Sequence, residues 1–503
     1  MAVYASTTHD STSDEAVYYR LPRERSDFAD GPSDEDLEVE ENEEDIVESF
    51  VAREAVTGVN SRIRWVHFIL GCAVLLPWNV LITASPFFLA RLEGSPFKGT
   101  FNSYLSTSFT VSNFVFLAHA TVSSKQTSNA RRGLLSMLWL TLLNFMLTVS
   151  TFIHAKPGLF FSFVLLNGIA QAAAGSYLQT AVVAVASLFG PNAMQSVMSG
   201  QAAVGVALSA IQVISAASSI RGKAPPASPQ SVPSEPEEQS AFAFFGISTV
   251  FLLFSAAAHA WLVRLPAYKS LTSQVQHAHA VTGGVGDSAE SANLLSGHSA
   301  LASNSEKRKQ ILRVAKGNIV YNLAVAYVFL VTLAVFPPIT ISIQSTNPAT
   351  HPLLFSAVHF LVFNVGDFFG RYMCSIPRVV IWSAKRLLTL SLARTLFIPL
   401  FLMCNLQRPT DLPSTVSNAF ISSDILFMLI LLLFGLSNGY VSSLCMMSAP
   451  SVEHNPRLKG RVEDVDVAAT VANFFLIGGL ATGSFMSFGV RAVVCNCNPF
   501  YDQ

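Results

Sequence analysis

A chain of 503 residues that is 51% hydrophobic and only 13% charged is too apolar for a soluble domain, which carries about 25% charged residues. The formal net charge of -1 conceals a segregation: acidic residues gather before Glu54, whereas many basic ones occupy short gaps between apolar runs. No cluster of Lys and Arg on a soluble face is legible, which excludes nucleic acid as a partner.

Residues 1–64 are polar and acidic, typified by DEDLEVEENEED (Asp34 to Asp45), and predict a disordered cytosolic tail rather than a signal peptide. A bilayer-spanning helix needs roughly 20 mostly apolar residues. That window finds about eleven candidates, near 66–90, 101–122, 133–154, 158–188, 193–219, 241–264, 317–344, 352–374, 386–406, 421–447 and 467–494. They predict an N-terminal six-helix bundle over 65–264 and a C-terminal five-helix bundle over 317–495. Between them, residues 265–316 are rich in Ser, Ala, Gly and His and close on EKRKQILRVAK. This segment reads as a flexible cytosolic linker with no core of its own. Lys and Arg favour the gaps on the linker's side, as the positive-inside rule expects, which leaves the short tail 496–503 lumenal or extracellular.

A charged side chain near a bilayer centre costs about 2.5 to 3.5 kcal/mol on insertion scales, so it usually faces a partner or a water-filled path. In the first span, LLPWNVLITASPFF (Leu75 to Phe88) sets Pro77 before Trp78 and Asn79. Pro77 should bend the helix and free carbonyls, and Trp78 offers a flat apolar face. The fourth span carries Asn167, Gln171 and Gln179, and the fifth Gln201. In the eighth, FNVGDFFGR places Asn364, Asp367 and Arg371 at spacings of three and four, hence on one helix face. Asp367 and Arg371 are either a neutralising pair that holds the bundle or the lining of a polar path. Arg394 precedes Pro399, whose freed carbonyls it could satisfy. Asn438 lies beside Gly439 among Ser437, Ser442 and Ser443, a setting for close helix packing or for ligand contact. Asn473 and Arg491 lie in the last span, where Arg491 is close enough to the end to snorkel.

Cys72, Cys374, Cys404, Cys445, Cys495 and Cys497 show no CxxC spacing, so a zinc site is not expected and most read as small core residues. Cys495 and Cys497 could bond to another group, but not to each other without strain. About eleven spans exceed the seven of a receptor. The spans also lack paired catalytic Asp residues, a Ser with a His, or an HExxH helix, so the chain does not read as an enzyme. A solute carrier fits better, with no cofactor expected.

Several of these stretches, in order, resemble the signatures of the equilibrative nucleoside transporter family over about residues 64–494. GCAVLLPWNVLITASPFF resembles the first-span signature, MSGQAAVGVALSA (Met198 to Ala210) the fifth and FNVGDFFGR the eighth. ARTLFIPLFLMC, SNGYVSSLCMM and SFMSFGVRAVV resemble the ninth, tenth and eleventh. The resemblance implies an all-α polytopic membrane protein of about 11 transmembrane helices in a major-facilitator-like 6+5 arrangement, monomeric, with two halves that rock about a central site. It implies facilitated diffusion of purine and pyrimidine nucleosides and, in some members, nucleobases. Carried over by motif, Asp367 would bond ribose hydroxyls, with Arg371 in the site or its gate and Asn364 beside them. Gln179 would contact the base, although Gln171 in NGIAQAAAGSYLQ leaves the choice between them open. Trp78, Leu75 and Ile82 would line the base pocket and Asn79 would support it. Leu105, Ser108 and Asn438 are further contacts, while Arg394, Arg491 and Gln201 have structural or gating roles.

Two alternatives stand beside facilitated diffusion: a proton-coupled carrier, with Asp367 as a proton site, and a nucleoside-sensing receptor that uses the same pocket without turnover. The address is open as well. ESANLL (Glu290 to Leu295) fits an acidic dileucine signal and YYRL (Tyr18 to Leu21) a tyrosine-based one. These point to a vacuolar or lysosomal membrane, with the plasma membrane as the default.

Overall fold

In the computed structural model, residues 61–98, 100–123, 129–221, 235–283, 296–336, 339–347, 349–405 and 420–495 are described, all within one unit, Ile46–Gln503. The acidic tail, YYRL, ESANLL and the last eight residues lie outside them. The elements in order are α1 (Ser61–Thr83), α2 (Ser85–Arg91), α3 (Phe101–Val122), α4 (Asn129–Ser150), α5 (Pro157–Leu188), α6 (Pro191–Arg221) and α7 (Glu235–Arg264). There follow α8 (Pro266–Gly283), α9 (Ser296–Gly317), α10 (Ile319–Val335), α11 (Pro352–Met373), α12 (Ala384–Ala393), α13 (Phe397–Leu402), α14 (Asp424–Ser448) and α15 (Val465–Cys495). Every expected span coincides with helix, and nine of the described helices are long and apolar enough to cross a membrane by length and composition. The chain is thus a mostly helical, multi-pass membrane protein.

Local chemistry explains where helices begin and break. Gly190, at φ 88°, makes the left-handed turn between α5 and α6, a conformation that costs glycine little. Proline opens both helices there, at Pro157 and Pro191, where its missing N–H has no intrahelical partner to lose. Pro77 sits within an unbroken α1, and the chain interrupts instead at Ala84, ahead of Pro86. The chain's first break in helix thus falls about two turns after Pro77. The ninth expected span is broken: α12 ends in a 3₁₀ turn, Arg394–Leu396, before α13, because Pro399 offers no N–H to Thr395. The polar first half of α3, with Asn102, Ser106, Thr107 and Ser108, keeps that helix out of the strongly apolar set.

Residues 266–283 and 296–317, read from the sequence as linker, are helical. Tyr268, Leu271 and Val275 recur at three and four and are buried in the main core. Val314 on α9 packs against Leu458 and Ala468, and Arg313 and Gln310 both donate to Asp464 at 2.9 Å. These two helices mark one end of the bundle, here the linker end.

The apolar core is arranged unequally along the bundle axis. At the linker end a single cluster joins both sets of helices, from Val66 and Leu70 of α1 through Val182 and Val185 of α5 and Met194 of α6 to Val325 of α10, Leu444 of α14 and Ala472 of α15. At the opposite end there are two. One gathers Leu81, Phe87, Phe88, Phe101, Phe160 and Phe245 from the first set. The other gathers Phe336, Phe363, Phe401, Phe427 and Phe434 from the second. Helices α6 with α11 and α5 with α15 form the main contacts between sets.

Within the second set α11 and α14 meet backbone to backbone. Gly366 and Gly370 face Gly435 and Gly439, and a Cβ on Gly439 would lie 1.9 Å from the Asp367 carbonyl oxygen. Matched small residues at a spacing of four permit such an approach in membranes. It carries Asp367 to the α14 surface.

Candidate functional site at the division of the core

The predicted polar residues collect at the level where one core becomes two. On α11, Phe363 belongs to a far-end cluster and Cys374 to the linker-end core, with Asp367 and Arg371 between them. On α14, Asn438 lies between Phe434 and Val441. Arg394 lies between Leu387 and Phe401, and Gln179 just past Ala172 at the start of the shared core.

Asp367 and Arg371 form a buried ion pair, with Nε donating to Oδ2 at 2.9 Å. Asn438 Nδ2 donates to the other oxygen, Oδ1, at 2.6 Å. Arg371 also crosses to the first set of helices. Its Nη1 donates to the Met198 carbonyl at 3.0 Å, and Gln195 Nε2 donates to the Arg371 carbonyl at 3.1 Å. Asn364 crosses one turn away, donating to Ser209 Oγ at 3.0 Å. Each carboxylate oxygen has one donor and retains acceptor capacity.

Arg394 is 1% exposed, the largest fully buried side chain described. Pro399 points to carbonyls of Arg394's own helix as its partners, but the one carbonyl it satisfies lies on α14. It donates to Phe434 O at 3.1 Å, to Ser437 Oγ and to Thr332 Oγ1 at 2.7 Å, with its guanidinium 4.6 Å from the Phe434 ring. Thr332 Oγ1 lies 2.7 Å from Asn438 Oδ1. Sequence reasoning passed over Thr332, a single hydroxyl in an apolar run.

Across the division, Gln179 Nε2 donates to Asn473 Oδ1 at 2.8 Å, while Gln171 turns to Asn167 Oδ1 at 2.7 Å on its own helix. Asn473 Nδ2 is buried and has no hydrogen-bond partner among the described residues. Gln179 and Asn473 together thus present an amide acceptor and a free donor. The Trp78 and Phe109 rings lie 4.2 Å apart, tilted by 31°. Leu75 packs against the linker-end core, Leu105 is buried near Gly168, Ser108 is half-buried and Ile82 is 43% exposed toward the far end. Asn79 donates back to the Leu75 carbonyl at 2.8 Å, so its support is to α1 itself. Gln201 is buried on α6. Arg491 falls on the last turns of α15, but its side chain lies outside the described residues, as do those of Cys495 and Cys497. Cys72, Cys374, Cys404 and Cys445 are free and buried, as small core residues.

A small pocket at the linker end is lined by Asn129, Val185, Leu188, Tyr268, Thr272, Val275 and Asp466, and contains none of the predicted site residues. Burial pushes the Tyr268 phenol upward there, with Asp466 adding to the effect. Neutral at ordinary pH, it carries no charge to the site.

Residues 165–492 match the model of the family described as Nucleoside transporter. The chain is 24% identical to equilibrative nucleoside transporter 1 of Rattus norvegicus, covering 85% of this chain and 96% of that protein. It is 28% identical to equilibrative nucleoside transporter 2 of Homo sapiens, at the same coverage. Among solved structures, the E. coli fucose:proton symporter aligns at 16% identity and a TM-score of 0.48, over 87% of this chain and 98% of that one. The matched segment holds every element that builds the Asp367 network, and the chain belongs to the nucleoside transporter family.

Proposed function

We propose that the chain carries nucleosides, and nucleobases as well, across a membrane by facilitated diffusion, with alternating access around the level where the core divides. The observation that carries this reading is the buried Asp367–Arg371 pair, placed at that level and joined to Met198 of the opposing helices. A neutral nucleoside needs a few well-placed donors and acceptors in a mainly apolar pocket. Asp367 accepts from the ribose hydroxyls, Gln179 with Asn473 addresses the base edge, and Trp78 with Leu75 and Ile82 covers its faces. Six helices before the linker and five after it rock as two bundles. The N-terminus and linker are cytosolic and the C-terminus lumenal or extracellular, so the far end, with its two cores, is the open side. The sorting signals favour a vacuolar or lysosomal membrane, and the carrier acts as a monomer.

Uptake of radiolabelled adenosine and uridine into proteoliposomes, with and without an imposed pH gradient, tests this. The expected result is gradient-independent uptake that Asp367→Ala lowers by about a hundredfold, as the loss strands a buried guanidinium. Uptake only with inward-directed protons overturns facilitated diffusion in favour of proton coupling. Binding without uptake overturns the carrier and leaves a nucleoside sensor.

A further inference from the structure

Resting on the reading of Asp367 as the ribose contact, the geometry points to Thr332 and Arg394 as positioning residues that set ribose selectivity by fixing the orientation of the Asn438 amide. Neither needs to touch substrate. Arg394 has donors only, and its Nη2 donates to Thr332 Oγ1 at 2.7 Å, with Asn438 Oδ1 at 3.5 Å. The Thr332 hydroxyl has one proton and two acceptors for it at 2.7 Å, the Val328 carbonyl and Asn438 Oδ1, and given to Asn438 it adds to the Arg394 guanidinium as a second donor. Oδ1 of Asn438 therefore faces two donors. A flipped amide would set its NH2 against the Arg394 guanidinium, donor to donor, and its oxygen against the Asp367 carboxylate. Both contacts would be repulsive in a site where all four side chains are nearly inaccessible to water.

The amide thus has one allowed orientation, and it delivers a donor to Asp367 Oδ1 at 2.6 Å. Arg371 holds Oδ2. The carboxylate is clamped at both oxygens, and its plane, with the remaining lone pairs, is set for a vicinal diol. Asn438 is on this account part of the clamp, not a ligand contact. A ribose contact held this way discriminates by hydroxyl count, because a sugar lacking both hydroxyls leaves clamped acceptors unpaired.

The measurement is the ratio of uptake efficiency, kcat/KM, for uridine over 2',3'-dideoxyuridine in proteoliposomes carrying the full chain. Thr332→Val keeps the shape and removes the hydroxyl, Thr332→Ser restores the hydroxyl, and Asn438→Asp keeps the acceptor for Thr332 and Arg394 but removes the donor to Asp367. The ratio should fall about tenfold in Thr332→Val and in Asn438→Asp, and stay within about twofold of the unsubstituted chain in Thr332→Ser. If only one of the first two variants reconstitutes, its ratio decides. A merely structural role would slow both substrates alike, and an unchanged ratio in the reconstituted variants overturns the inference. Failure of the underlying reading looks different: Asp367→Asn would then leave the ratio as it is in the unsubstituted chain.

Discussion

The two ends of the bundle differ in whether their main apolar core is shared between the two sets of helices. At the linker end, side chains from α1, α5, α6, α10, α14 and α15 interlock in one cluster, so the two sets of helices cannot part there without exposing it. At the far end each set is closed upon its own phenylalanines. Separating two finished cores removes little apolar surface from a partner, whereas separating a shared one costs roughly 25 cal/mol for every Å² exposed. On this packing, parting the two sets at the linker end would expose a shared core, and parting them at the far end would leave two cores intact. The polar network sits at the seam, and polar contacts across a seam can be exchanged for contacts with a bound solute.

Substitutions at the seam should separate these effects. The largest response is expected for Gly439→Val, whose Cβ meets the Asp367 carbonyl at 1.9 Å. Forcing α11 from α14 should cost about 3 kcal/mol or more and appear as a lowered melting temperature in detergent with uptake abolished; an unshifted melting curve would mean the helices can separate freely. Arg371→Ala removes the ion pair and the bond to Met198 together, and uptake of uridine should fall about a hundredfold. Loss of less than about fivefold would show that the seam does not need its charged bridge.

Gln179→Leu leaves the buried Asn473 amide without its partner, at about 1 kcal/mol. Adding Asn473→Leu should recover most of that stability in a double-mutant cycle while uptake stays low; additive losses would place the two amides out of contact. The smallest effect on activity belongs to Ile82→Cys, expected to transport within about twofold of the unsubstituted chain. In a chain with Cys495→Ser and Cys497→Ser, that thiol should react with a membrane-impermeant reagent applied from the far end, above the background of the same chain without it, since Cys72, Cys374, Cys404 and Cys445 are buried. Background-level labelling would contradict an open far end.

Much of the fold was legible because apolar run length is a direct physical requirement of a bilayer. Asp367 and Arg371 were legible for the same reason: a charge inside such a run is costly and stands out. Three features were not. Thr332 is hidden because a hydroxyl can always return its proton to the preceding turn, so a lone Thr in a span carries no signal. The Met198 carbonyl is hidden because every residue has one. The Gln179–Asn473 bond joins residues 294 positions apart, and no local periodicity encodes a pairing made only after two sets of helices assemble. The helicity of 266–283 was legible in principle, since Tyr268, Leu271 and Val275 follow the helical period, but the surrounding Ser, Gly and His content outweighed it.

The glycine faces of α11 and α14 have a consequence for the timing of transport. Two helices in backbone contact along four glycines have little room to slide or tilt against each other, which favours their travelling as one stiff body. Asp367 rides on one and Asn438 on the other, and the distance between them therefore stays constant while the bundle changes its opening. On the proposed reading, ribose would then meet the same pair of residues in the same geometry throughout the stroke. A change of affinity between loading and release would then fall to the partners on the other set of helices, Met198 and Gln195 on α6 and Gln179 on α5, with the first set as the release mechanism and the second as the carriage.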